Sequence, residues 1–157
     1  RDGIFNMSQL EYQYPTGHYF AGAALHTRHF KIDDEGEMAT SDDATNNTTC
    51  TWWIYGEQTI WSVDDKNISA MLQYSENTNH SNGCYRFAEA GCAYKDSKNE
   101  CGISAQYARF NQGTECSLEL TWKRQLTESI ALQPYFQYIN NKNGDFTVLC
   151  TRLYYSF

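Results

Sequence analysis

Hydrophobic and polar residues alternate at every second position through most of this chain. Between residues 7 and 14, leucine and tyrosine alternate with glutamine and glutamate, and between residues 118 and 123 leucine and tryptophan alternate with glutamate, threonine and lysine. This period indicates β-strands with one apolar and one polar face. No segment repeats with the helical period of 3.6 residues. The pattern predicts an all-β protein of eight or nine antiparallel strands, with no helix longer than a turn or two.

Polar and turn-forming stretches separate the predicted strands. The strands fall at residues 7–14, 19–30, 51–61, 68–75, 85–94, 101–110, 118–123, 130–138 and 145–157. Residues 33–48 and 76–82 are polar and aperiodic and predict loops, whereas residues 15–17, 96–97 and 140–144 predict turns. We expect short turns at one end of the sheet and longer loops at the other, as in outer-membrane β-barrels. The facing of strand 51–61 stays open, because Trp52 and Trp53 fall on opposite sides.

The last predicted strand is apolar on one face up to the final residue. Leu149, Thr151, Leu153, Tyr155 and Phe157 share that face. Such an ending favours the closing strand of a transmembrane β-barrel, whose outer face meets lipid and carries aromatic girdles. An edge strand of a soluble sandwich is the alternative. The predicted lipid-facing residues are Leu10, Leu72, Leu118, Leu120, Trp122, Phe136, Leu153 and Phe157.

Composition narrows the function classes. The 157 residues suit one domain, and a formal net charge of −7 argues against a nucleic-acid partner. Mean hydropathy is −0.67, and the longest apolar stretch, residues 20–25, is too short for a membrane helix. A barrel strand needs only about 10 residues, half of them polar, so a membrane protein remains compatible. Residues 1–3 lack a leader pattern, from which we expect a mature form or a fragment.

The six cysteines suggest disulfides and not a metal site. No two have C-x-x-C spacing and no H-x-x-x-H accompanies them, so we predict neither a metal nor another cofactor. If Asp96 and Ser97 form a two-residue turn, Cys92 lies directly opposite Cys101 and Glu89 opposite Ser104. A disulfide between Cys92 and Cys101 is then feasible at a non-hydrogen-bonded pair, after some closing of the strands.

Short motifs along the chain form a recognisable series. They are Gln9-Leu10-Glu11-Tyr12, His26-Thr27, Gln58, Glu89-Ala90-Gly91, Tyr107-Ala108-Arg109, Thr121-Trp122, Gln125-Leu126-Thr127, Leu132-Gln133-Pro134, Gln137-Tyr138-Ile139-Asn140 and the terminal Arg152-Leu153…Phe157. Together they resemble the C-terminal part of carbohydrate-selective porins of the OprB-like family. The resemblance implies a sixteen-stranded diffusion channel for sugars in the bacterial outer membrane, with about the last half of the barrel represented here. Six cysteines, and Asn141 in place of a proline, depart from the family pattern.

Passive passage of sugars, ions or other small solutes needs a polar lining and not a catalytic centre. The chain has no nucleophile or phosphate-loop motif, and we do not expect an enzyme. Each charged lining candidate could contact solute or form a salt bridge that merely fills the interior. Trp53 and Trp61 could stack on sugars or belong to an interfacial girdle. The charged candidates are Glu11, His26, Arg28, Glu57, Glu89, Glu119, Lys123 and Arg152.

Chain length leaves three interpretations open. Eight strands closed on themselves leave an interior filled by side chains, which passes no sugar. Residues 1–157 are therefore either the C-terminal half of a sixteen-stranded barrel completed by a second polypeptide, or a small plugged barrel with a structural or anchoring role. A secreted, disulfide-stapled soluble β-protein is the third interpretation.

Overall fold

The chain forms one antiparallel sheet of nine strands, each paired with the next in sequence. The computed structural model describes residues 3–27, 48–80 and 83–156, so the predicted Arg28, Phe157 and most of loop 33–48 lie outside the described residues. No described residue is helical, and none belongs to a helix that could cross a membrane. The all-β prediction is confirmed. The strands are β1 (Phe5–Tyr14), β2 (Gly17–His26), β3 (Thr49–Val63), β4 (Lys66–Asn77), β5 (Cys84–Lys95), β6 (Asn99–Phe110), β7 (Gly113–Gln125), β8 (Ile130–Asn141) and β9 (Gly144–Tyr155).

Cross-strand pairing divides the sheet into an apolar face and a polar face. Directly paired residues share a face, and one such row runs from Leu72 through Ala90 and Ala105 to Leu118. The neighbouring row runs through Glu89, which pairs with Gln73 and Gln106, on the opposite side. All described members of the predicted lipid-facing set lie on the apolar face, namely Leu10, Leu72, Leu118, Leu120, Trp122, Phe136 and Leu153.

The described sheet is a single layer without a hydrophobic core. The backbone of each described strand approaches only the strands next to it in sequence. Among the described residues, Ala131 and Asn79 alone are buried. By contrast, Leu10 is 82% exposed and Leu149 is 77% exposed. A soluble domain buries its apolar face against a second layer, so the apolar face of this sheet needs a cover that the described residues do not supply.

The connections only partly follow the predicted alternation in length. Residues 15–16, 64–65, 96–98 and 126–129 make short turns at one end, and residues 27–48 and 78–83 make longer connections at the other. At that second end, however, residues 111–112 and 142–143 join their strands in two residues, so the prediction is wrong there. Gly144 explains one of these tight turns, since its φ of 121° favours glycine.

The predicted register of β5 and β6 is wrong by two residues. Cys92 pairs with Ile103 and Cys101 pairs with Tyr94, and both thiols are free. The connection is longer than a two-residue turn because the Asp96 carboxylate accepts hydrogen bonds from the backbone N–H groups of Lys98 and Asn99, at 2.8 and 2.7 Å. A slip of two residues keeps every side chain on its predicted face, so Glu89 stays on the polar face.

The pairing of β3 settles the facing that the sequence left open, and a bulge reverses that facing near the end of the strand. Trp53 pairs with Gly22 and Ser75 on the polar face, and Trp52 lies on the apolar face. The register shifts between Thr59 and Trp61, which then pairs with Ile68. The extra residue turns Trp61 from the polar to the apolar side, near the end of the strand.

The Asp96 turn should make stability depend on pH. Its backbone hydrogen bonds hold the pKa of the Asp96 carboxyl below its ordinary value. The stabilisation is therefore fully present above the ordinary pKa of an aspartate and is lost as pH falls through the lowered value. We expect wild type to unfold at a higher temperature than Asp96→Asn near pH 6, and the gap to narrow at an acidic pH below the ordinary pKa of an aspartate. A gap that is equal at both pH values would contradict this role.

Candidate functional site

All but one of the described lining candidates lie on the polar face, spread over six strands. Glu57 pairs with His18 and Met71, and Glu119 pairs with Ser104 and Gln137. Trp61 is the exception, because it lies on the apolar face. The structure does not describe Arg28. The described candidates on the polar face are Glu11, His26, Trp53, Glu57, Glu89, Glu119, Lys123 and Arg152.

Three of these glutamates line one depression of about 220 Å³, which we call the acidic depression. Glu57, Glu89 and Glu119 come from β3, β5 and β7. On a flat sheet β3 and β7 lie four strand spacings apart, or about 19 Å. A single depression lined by both strands therefore indicates that the sheet curves towards its polar face. Small residues leave room for the depression, and they are Ser69, Gly91, Ala93, Gly102 and Ser104.

Hydrogen bonds to neutral side chains hold two of these carboxylates. The Tyr55 hydroxyl donates to Glu57 Oε2 at 2.9 Å, and Gln106 Nε2 donates to Glu89 Oε1 at 3.2 Å. Within the described ranges, no Lys, Arg or His nitrogen lies within 4.0 Å of Glu57, Glu89 or Glu119. The depression thus presents unneutralised carboxylate acceptors, which suit solute hydroxyl groups and cations.

An aromatic cluster that sequence reasoning missed adjoins the acidic depression. The rings of Phe20 and Tyr55 stack at 4.7 Å between centroids, and His18 Nε2 lies 2.7 Å from Glu11 Oε1. Phe20 and Tyr55 are direct cross-strand partners. Period-2 facing would have placed each of them on the polar side, but only the β2–β3 register shows that their rings meet.

On the same polar face, but towards β9, cations pack on tyrosine rings. Lys123 Nζ lies 4.6 Å from the centroid of the Tyr154 ring, and the Arg152 guanidinium carbon lies 5.8 Å from that of Tyr135. The Tyr135 hydroxyl donates to Gln137 at 2.7 Å. Contacts of this kind hold a cation in place and leave its remaining N–H donors available. Lys123 and Arg152 were predicted from sequence, whereas their tyrosine partners were not.

Trp53 is not among the residues that line the acidic depression, and its ring is held by a hydrogen bond. The indole Nε1 donates to Gln9 Oε1 at 3.0 Å. His26 stands at the end of β2, with its ring 6.4 Å from that of Phe5. The structure therefore brings together Glu57, Glu89 and Glu119, and separately Lys123 and Arg152, but does not join all the predicted residues in one site.

The chemistry available on the polar face is hydrogen bonding and ring stacking. Carboxylates and amides accept from hydroxyl groups, while the lysine and arginine donate to them. The described residues contain no group of three or more His, Cys, Asp or Glu side chains that could hold a metal ion. Such a surface fits reversible contact with a hydroxyl-rich solute.

Comparisons with known proteins identify a similar fold and the family of the chain. In fold, the chain is similar to OprB from Pseudomonas putida, in a structure obtained at high pH, with a TM-score of 0.75 and 15% sequence identity. The match covers 97% of this chain and 48% of that protein, so the chain spans about half the length of OprB. No curated protein matches the sequence. The family model of the carbohydrate-selective porins, OprB family, matches residues 13–153, and the chain belongs to that family.

Proposed function

We propose that this chain forms about half of the wall of a β-barrel pore in the bacterial outer membrane, through which carbohydrates and other small solutes diffuse passively. The observation that carries the proposal is the division of one coreless sheet into an exposed apolar face and a charged polar face. Lipid covers the first face and water fills the space beside the second. Family membership and the fold shared with OprB support this assignment.

The strand directions indicate how the barrel is completed. β1 and β9 each pair with a single described strand, so the sheet has two open edges. Because seven strands lie between them in an antiparallel order, β1 and β9 run in the same direction. Closing these edges on each other, or on a second copy in the same orientation, would require a parallel seam. An all-antiparallel barrel therefore needs an odd number of further strands, which we assign to a second polypeptide segment.

The same geometry disfavours the two alternative interpretations. A small plugged barrel of nine strands would need β1 to pair with β9, and those strands make no contact. A disulfide-stapled soluble protein would need cystines and a covered apolar face, yet all six cysteines are free and Leu10, Leu149 and Leu153 are 70–82% exposed.

Planar-bilayer conductance tests the proposed function directly. The isolated chain, lacking the completing strands, should give almost no conductance. The complete barrel should conduct ions, and added sugars should reduce that current in a concentration-dependent manner. A complete barrel that conducts but ignores sugars would remove the carbohydrate substrate, and one that does not conduct would remove the pore.

Substitution on the apolar face should cost far more than the same substitution next to it on the polar face. Leu120→Arg places a charge in lipid, which costs about 2–4 kcal/mol near the midplane. Glu119→Arg, one residue away, places the same side chain in water beside carboxylates. Urea unfolding in lipid vesicles measures both free energies of unfolding. Equal losses would contradict contact of the apolar face with lipid.

Two native cysteines report the facing independently. Cys150 pairs with Tyr135 on the polar face, and Cys92 pairs with Ala70 on the apolar face. Both are exposed on the sheet itself, so only lipid can make them differ. In variants that keep one cysteine each, a charged, membrane-impermeant maleimide should label Cys150 quickly and Cys92 slowly in vesicles, and both should label after unfolding. Faster labelling of Cys92 would reverse the assignment of the faces.

A further inference from the structure

The side chain of Trp53 crosses a neighbouring strand on the polar face. Trp53 belongs to β3 and Gln9 to β1, yet the indole Nε1 donates to Gln9 Oε1 at 3.0 Å. The residue between them in the same row is Gly22 of β2. The indole therefore lies along the sheet over β2, and its N–H group donates to Gln9 on the far side of that strand.

Only glycine at position 22 leaves space for this arrangement. A Cβ atom built on Gly22 would lie 2.3 Å from Trp53 Cζ2 and 2.5 Å from Cε2. Any other residue would displace the ring. The indole thus lies over the backbone of β2 at Gly22, and the Trp53 side chain stays partly accessible on the polar face. Gln9 and Gly22 act as positioning residues for this ring.

We propose that Trp53 is a stacking platform for the pyranose ring of a passing sugar. The aliphatic C–H face of a pyranose packs on an aromatic ring, and a fixed ring loses little conformational entropy when it binds. Hydroxyl partners stand two positions along the same strands, where Glu11, Tyr55 and Gln73 occupy the next polar-face row. The inference rests on the proposed passage of carbohydrates and adds to it a specific site on the wall and a preference for ring-form sugars.

The test compares two probes in the complete barrel reconstituted in planar bilayers. Glucose is a pyranose, whereas mannitol is an acyclic polyol of similar size that lacks the flat C–H face. We expect Trp53→Ala to raise the half-blocking concentration of glucose by about three- to tenfold and to leave that of mannitol unchanged. Trp53→Phe, which keeps an aromatic ring, should recover part of the loss. Trp52→Ala, the adjacent tryptophan on the apolar face, is the matched control and should behave as wild type.

The positioning residues provide a second readout. Gln9→Ala frees the indole and Gly22→Ala displaces it, so each should weaken glucose block while Trp53 is still present. Each substitution should also shift the fluorescence emission of tryptophan relative to wild type. A structural defect elsewhere in the barrel would not change the emission and the glucose block together. Gln9→Ala leaves the backbone unchanged and keeps the test valid if Gly22→Ala does not fold.

The outcomes separate this inference from the proposed function. If glucose blocks the Trp53→Ala variant as it blocks wild type, the platform is wrong, although sugar passage stands. An equal loss for glucose and mannitol would also overturn it, because the ring would then act on pore width and not by stacking. If wild type is blocked by neither probe, the proposed carbohydrate function fails first.

Discussion

Backbone hydrogen bonding between neighbouring strands is the interaction on which this structure depends. The backbones of the described strands approach each other only where the strands are consecutive in sequence, and no second layer of described residues packs on the sheet. The side chains therefore determine which environment each face contacts, while the hydrogen bonds between strands determine the shape of the sheet. Because lipid offers no hydrogen bonds, a sheet in contact with it must satisfy its edges within protein. The two open edges at β1 and β9 therefore need pairing partners, just as the exposed apolar face needs a cover.

The polar face is organised by charge as well as by polarity. Carboxylates line the acidic depression across β3, β5 and β7, while Lys123 and Arg152 stand on tyrosines towards β9. A solute that moves along this face meets hydrogen-bond acceptors on one side and donors on the other. A hydroxyl group is both donor and acceptor, so a sugar can exchange partners from one region to the next without leaving a polar group unpaired. Strand β7 contributes Glu119 and Lys123 and is the boundary between the two regions.

Facing could be predicted from sequence because it needs only the period of the pattern. Outside β3, whose facing the sequence left open, the strands and both faces followed from alternation, and Glu89 and Glu119 lie on the polar face as expected. Register could not be predicted in the same way, since it depends on turn chemistry. The Asp96 carboxylate reaches the N–H groups of Lys98 and Asn99 and lengthens the connection, which moved Cys92 from Cys101 to Ile103.

Contacts between side chains on three different strands could not be predicted from the sequence. The meeting of Trp53, Gly22 and Gln9 requires two registers to be known at once, across a connection of residues 27–48. Gly22 carries no signal by itself, because a glycine within an alternating strand has several explanations. The bulge between Thr59 and Trp61 could not be predicted either. Its extra residue reverses the facing of the residues beyond it but does not alter the residue types by which a strand is recognised.

The order of the strands also bears on how the chain acquires its structure. Connections of two residues at 111–112 and 142–143 bring β6 to β7 and β8 to β9 within reach at once, whereas residues 27–48 separate β2 from β3 in the sequence. Closing a longer loop costs more entropy and slows the pairing that depends on it. The part from β3 to β9 can therefore assemble as a series of local hairpins, and the β1–β2 hairpin joins it later. Until then β3 is a temporary edge, and the chain is most exposed to pairing with the wrong partner at that strand.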